Sequence, residues 1–203
     1  MRNMTKKHKL AKNFKLSKFK ICVSGAAAGP CLLSAKKLAF EVGRQIIQQG
    51  AILTTGATTG TPYEAARGAK SAGGMVIGFS PAGSPREHVR KYKLPLTYTD
   101  VIIYTGTGYA GRNLLLTRGS DAIITVCGRM GTLNEFTVAF EDHKIMGVLQ
   151  DSGGTADEIP HILETAKKTI KAHVIYDHDP AKLVAKVLAA IKKRHGKESL
   201  YYV

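Results

Sequence analysis

No stretch of the chain reaches the ~18 consecutive apolar residues that a membrane-spanning helix needs. The lysine-rich opening followed by ICVSGAAAGPCLL does not read as a secretory leader, because its charged part is too long and glycine and proline interrupt its apolar part. Cysteine is scarce: Cys22, Cys31 and Cys127 form no CxxC pair, and three is an odd number. Neither a zinc knuckle nor a disulfide framework is expected; free thiols in a reducing cytoplasm are. The seven histidines make no HxxxH or HExxH pattern, so no metal site is expected. A GxSxG elbow and a P-loop lysine are also missing, which argues against serine hydrolysis and ATP hydrolysis.

Acidic residues are the other shortage. Fifteen stand against 30 lysines and arginines, giving a net charge of +15, and the first of them is Glu41. Lys6, Lys7, Lys9, Lys12, Lys15 and Lys18 crowd residues 1–18. Such a basic arm is either a flexible solvated tail or a nucleic-acid contact. With only Phe14 and Phe19 interleaved, it offers no stacking platform for single strands. What remains is ordinary globular composition, 44% hydrophobic and 22% charged. A length of 203 residues fits one domain over 19–195 with a short polar tail over 196–203.

Short apolar runs read as strands at Phe19–Ser24, Ala51–Thr55, Met75–Phe79, Val101–Tyr104, Ala122–Val126, Lys144–Leu149 and Val174–Tyr176. Helical spacing fills most of the intervals. One helix closes near Gln49, one runs from Thr61 to about Ala72, and a short one covers Asn113–Arg118. Thr132 opens another, Ile159–Lys171 forms a fifth, and Asp179-Pro180 starts the last, which reaches about Arg194. Thr61-Pro62-Tyr63-Glu64 reads as an N-cap, a first-turn proline and a capping-box glutamate. Residues 80–98, with Pro81, Pro85 and Pro95, read as a long loop. Continuous apolar strands alternating with helices imply an α/β fold of the doubly wound, Rossmann-like type, mostly parallel, with helices on both faces.

Sheets of this kind bind ligands outside the carboxyl ends of their strands. Three glycine turns fall at that edge, at residues 25–29, 56–60 and 128–131. A glycine turn between a buried strand and a helix aims backbone N–H groups, backed by the helix dipole, at whatever lies above. The expected ligand is therefore a phosphorylated small molecule, with Gly25, Gly56, Thr58, Gly60, Gly128, Arg129, Gly131 and Thr132 as its candidate contacts. The second turn is not a GxGxxG fingerprint and no ribose-binding acid follows it, which disfavours hydride transfer.

Two side chains stand out beside these turns. Arg112 reads as the start of a helix, where a cation opposes the macrodipole by ~0.3–1 kcal/mol. A bound anion would remove that penalty; the alternatives are solvent, or a pair with Glu135 or Asp121. Glu135 is either an acid beside the ligand, paired with Arg112, or the closing residue of a capping box opened by Thr132. Arg118 either binds phosphate or closes the C-terminus of its own helix.

Lys20 to about Leu149 resembles the Lonely Guy (LOG) family and its relatives, the molybdenum cofactor carrier-like proteins. The resemblance rests on the first strand with its Gly25 turn, on TTGATTGTPYEAARGAKSAGG, on VIGFSP, and on RNLLLTRGSDAIITVCGRMGTLNEF, which matches the family's arginine-bearing helix and PGGxGTxxE motif without a gap. It implies a homodimer or higher homo-oligomer holding a nucleotide-type ligand, with no added cofactor required; a molybdopterin-type ligand is the carrier alternative. In LOG enzymes that arginine and glutamate act in cleaving the N-glycosidic bond of a nucleoside 5′-monophosphate, and by position they are Arg112 and Glu135 here. The chain departs from the pattern at Cys127-Gly128-Arg129, in place of Pro-Gly-Gly. It departs also at Asn113, in place of a basic residue, and at Thr54 and Thr55, in place of glycines. Asn113 after the arginine is closer to the carrier type.

Overall fold

The computed structural model describes residues 18–166 and 173–198. The expected basic arm, except Lys18, lies outside them, as do residues 167–171 of the expected fifth helix and the chain beyond 198. Among the described residues no helix is long and apolar enough to cross a membrane.

Seven strands form one parallel sheet: β1 (Lys20–Gly25), β2 (Ile52–Thr55), β3 (Val76–Ser80), β4 (Val101–Tyr104), β5 (Ala122–Val126), β6 (Ile145–Leu149) and β7 (His173–Asp177). Their spatial order is β4-β3-β2-β1-β5-β6-β7. The chain thus winds outward from β1 to β4, returns to place β5 beside β1 with Ile21 opposite Ala122, and winds outward again. The switch point lies between β1 and β5, where the following loops diverge and leave a crevice.

The helices are α1 (Leu32–Gln48), α2 (Thr61–Ser71), α3 (Pro85–Arg90), α4 (Gly108–Gly119), α5 (Met130–Glu141), α6 (Thr155–Thr165) and α7 (Pro180–Glu198). Strand side chains alternate between faces, and two cores result. Ile21 and Val23 of β1 face one core with Ala39 and Val42 of α1, Ala65 of α2 and Leu183 of α7. Cys22 faces the other, with Leu116 of α4, Phe136 of α5 and Ile159 of α6. The same alternation turns Ser24 toward Glu135 of α5.

Three local expectations change. The helix expected from Asn113 begins at Gly108, so Arg112 lies in its second turn and the argument from an exposed helix start no longer applies. Thr61 is the first helical residue of α2 and not its N-cap, a position held by Gly60. Its hydroxyl instead donates to the Ala26 carbonyl (3.2 Å), tying α2 to the first glycine turn. The loop over 80–98 contains α3, capped by Ser84, whose hydroxyl accepts from the Glu87 N–H (3.2 Å). Buried His88 in α3 bridges Ser80 (2.8 Å) and the Pro95 carbonyl (3.0 Å), pinning both ends of the segment.

Candidate functional site

At the switch point a cavity of about 430 Å³ opens above the carboxyl ends of β1, β2 and β5. That lies within the ~300–1,000 Å³ usual for small-molecule sites. A second concavity, between β6, β7 and α7, lies at the amino ends of its strands, beside Ile145 and His173. The strand-end rule selects the first.

The floor of the first cavity is polar and buried. On α4, Arg112, Asn113, Leu116 and Thr117 form the inward stripe; on α5 it is Thr132, Glu135, Phe136 and Ala139. The two helices pack together, which sets Arg112 against Glu135, each only 6% exposed. Arg112 Nη1 lies 3.7 Å from Glu135 Oε1, an ion pair rather than a hydrogen bond. Glu135 Oε2 accepts the Ser24 hydroxyl, which arrives through the alternation of β1. Turned as its neighbours require, the Asn113 amide donates to Glu135 Oε1 (2.9 Å) and to the Tyr109 carbonyl (3.0 Å).

This arrangement shapes the electrostatics. Burial pushes the Glu135 carboxyl above the usual glutamate value, while the Arg112 charge and the Ser24 hydroxyl pull the other way. Burial also raises the Cys22 thiol beneath it, and the Glu135 charge adds to that shift. Arg112 Nε is buried without any protein partner. A buried guanidinium N–H left unmatched costs roughly 1–3 kcal/mol.

Arg112 has its place because position 56 carries no side chain: a methyl group on Gly56 would occupy the site of Arg112 Nη1. Gly131 shows the opposite case. A methyl group there would meet nothing within 4 Å, so no packing demand explains this glycine, which lines the cavity. The first N–H groups of α5, at Met130 and Gly131, have no intrahelical acceptor. The Thr132 hydroxyl accepts from the Arg129 N–H (3.3 Å) and fixes the preceding turn. The result is a helix N-terminus at the cavity wall, with the positive end of the helix dipole behind it.

Gly25, Gly56, Thr58, Arg112, Asn113, Arg129, Gly131, Thr132 and Glu135 all line the cavity. Gly60 and Gly128 do not. Gly60 lets α2 press against the Ala26 carbonyl, and Gly128 (φ 123°) makes the turn after β5 while its carbonyl accepts from Thr155 N–H (3.2 Å). Glu135 is not a capping residue: α5 starts three residues earlier than the capping-box reading requires, with Arg129 and not Thr132 at the N-cap, and the carboxylate lies on the cavity wall. Arg118 lies elsewhere, paired with Asp142 at 2.9 Å.

The cysteine expectation is overturned. Cys31, before α1, and Cys127, after β5, are joined as a disulfide with Cα atoms 6.0 Å apart, and Cys22 alone is free. The bridge ties the loop carrying Ala26–Ala28 to the turn carrying Arg129, two walls of the same cavity. A sequence separation of 96 hides the pairing from local sequence patterns. Ser24 and Tyr109 were also missed, although strand parity with Cys22 marks the first and three-residue helical spacing from Arg112 marks the second. A G-x-G-x-x-G string does occur at Gly106–Gly111, where it opens α4 after the edge strand β4; of these residues only Tyr109 reaches the cavity. Among the described residues no group of three or more His, Cys, Asp or Glu is placed to hold a metal.

The SLOG cluster4 family model matches residues 18–184, most of the chain. The chain belongs to the SLOG cluster4 family. An uncharacterized protein of Archaeoglobus fulgidus is 34% identical over 123 residues, 61% of this chain and 76% of the relative. Among solved structures, the fold is shared with the molybdenum cofactor binding protein of Rippkaea orientalis, with a TM-score of 0.69, 27% identity, and coverage of 87% of this chain and 99% of that one. It is shared also with the Moco carrier protein of Chlamydomonas reinhardtii, with a TM-score of 0.68, 27% identity, and coverage of 89% and 99%. These likenesses support a ligand-binding role.

Proposed function

We propose that this protein binds a phosphorylated, nucleotide-type small molecule in the switch-point cavity, of which a molybdopterin-type compound is one candidate. The observation that carries the reading is the buried Arg112, a cation lining the same cavity as the first turn of α5, whose leading N–H groups have no intrahelical acceptor. In this reading the phosphate sits on the Met130–Thr132 turn and Arg112 meets the sugar-phosphate oxygens. Arg129 adds a second cation at the rim where a glycine would be neutral. The two neighbours named for molybdenum cofactor binding and carriage support binding without chemistry.

Native mass spectrometry of the purified chain, followed by thermal melting with nucleoside 5′-monophosphates and phosphorylated pterins, tests this reading. A retained or stabilising phosphorylated compound is the expected result. A protein that arrives empty and melts unchanged with every compound refutes it.

Glu135 favours a second reading, N-glycosidic hydrolysis. A carboxylate beside Arg112 on the cavity wall can stabilise positive charge developing on the ribose as the C1′–N bond breaks. Water then adds to C1′, and the base leaves with the proton. Free base released from a monophosphate panel, and lost in Glu135→Ala, supports hydrolysis; no release across the panel leaves binding alone.

A further inference from the structure

Away from its polar floor, the cavity is lined by Val23, Ala26, Pro62, Tyr109 and Met130. Most of these are small or aliphatic, and one is aromatic. Tyr109 is 49% exposed, so burial in the core does not account for its ring. It stands one helical turn before Arg112 on α4, and its ring centroid lies 5.8 Å from the Arg112 guanidinium carbon. Tyr92 from the segment after α3 meets it edge to face at 5.4 Å, which restricts its orientation. Met130, 77% exposed, provides a polarizable side chain at the lip of the same cavity.

We propose that Tyr109 is the specificity-determining residue of this site: it selects ligands that carry a planar heterocycle attached to the phosphorylated part, by stacking against that ring. The inference rests on the phosphate site described above. A ligand held at Arg112 and the α5 turn has its next group within reach of Tyr109, because both residues lie on one face of α4. The lining away from the floor includes one side-chain hydroxyl besides that of Tyr109, on Thr58. Apart from these hydroxyls and the rim guanidinium of Arg129, its side chains supply no donor or acceptor to read the edge of a base. Stacking is tolerant of base identity because every base presents a π-face. The substrate class is therefore set by flatness and phosphate together, with purines and pyrimidines both accepted.

The test compares adenosine 5′-monophosphate, cytidine 5′-monophosphate, ribose 5-phosphate and inorganic phosphate by calorimetric titration of the full chain, wild type, Tyr109→Ala and Tyr109→Phe. Loss of a stacked ring should weaken both nucleotides by about 5- to 150-fold in Tyr109→Ala. Ribose 5-phosphate should bind both proteins equally, and Tyr109→Phe should keep wild-type affinity for the nucleotides. The half-exposed position lets both variants fold, which their unliganded melting curves verify. Nucleotide affinity unchanged in Tyr109→Ala, or a parallel loss of ribose 5-phosphate affinity, overturns the assignment while leaving the phosphate site standing. Failure of all four compounds to bind wild type overturns the phosphate site and this assignment with it.

Discussion

Two glycines in the same cavity should respond to the same substitution in opposite ways. In Gly56→Ala the new methyl group takes the position of Arg112 Nη1. The guanidinium cannot move away freely, being 7% exposed and set against Glu135. Overpacking of this kind costs roughly 1–3 kcal/mol. Unfolding entropy of ~2.1 cal/mol/K per residue over 203 residues gives about 0.43 kcal/mol/K, so the melting temperature should fall by about 2–7 °C. Ligand affinity should fall with it, because a displaced Arg112 loses charge-assisted hydrogen bonds of about 1.5–3 kcal/mol each, or roughly 10- to 150-fold.

Gly131→Ala places its methyl in open space, so the fold should lose nothing. Reduced freedom of the unfolded chain should instead stabilise the protein by about 0.4–1 kcal/mol. Beside the N–H groups proposed to hold the phosphate, the same methyl should obstruct a phosphorylated ligand and lower its affinity by about tenfold, or ~1.4 kcal/mol. Scanning calorimetry gives the first quantity and titration of adenosine 5′-monophosphate the second. Gly131→Ala binding as wild type, or Gly56→Ala melting as wild type, would refute the account of how these glycines shape the site.

The Cys31–Cys127 bridge closes a loop across 96 residues. The chain-entropy model assigns such a crosslink about 4.7 kcal/mol, or about 11 °C by the same conversion. Reductant should lower the melting temperature of wild type toward that of Cys31→Ser, whose own melting should not respond to it; three alkylatable thiols in the unreduced, denatured protein would contradict the bridge. Glu135 gives a pH signature. Its folded carboxyl titrates above the unfolded one, so its favourable contribution to stability is complete below the unfolded value and is lost as pH rises through the folded value. The stability of wild type relative to Glu135→Gln should therefore decline as pH rises past the ordinary carboxylate range. The unpaired Arg112 of the variant adds a constant offset, and a flat difference across that window would count against the buried carboxylate.

The sheet was legible in the sequence because parallel strands buried on both faces must be apolar throughout. Ala122–Val126 coincides with β5, and Val174–Tyr176 falls short of β7 by one residue at each end. Helix starts were harder, since the phase of a cap decides which way a side chain turns. Moving the start of α5 from Thr132 to Met130 takes Glu135 out of the capping position and onto the inward stripe with Phe136 and Ala139. Arg112 shows the same sensitivity: the helix expected from Asn113 begins at Gly108, which moves Arg112 from the helix start into the second turn. The joining of Arg112 to Glu135 depends on two helices packing side by side. From spacing alone that contact stayed open, and the family resemblance supplied it. Cys31 and Cys127 meet only through the return of the chain from β4 to β5 beside β1, a long-range consequence of topology that no local pattern carries.

We propose that a phosphate rests on Arg112 and the first turn of α5. Calorimetric titration of wild type and Arg112→Ala with adenosine 5′-monophosphate and a phosphorylated pterin tests it most directly. Saturable binding of at least one compound to wild type, weakened roughly 10- to 150-fold in Arg112→Ala, is the predicted result. Equal affinity for the two proteins, or no binding of either compound to wild type, would contradict it.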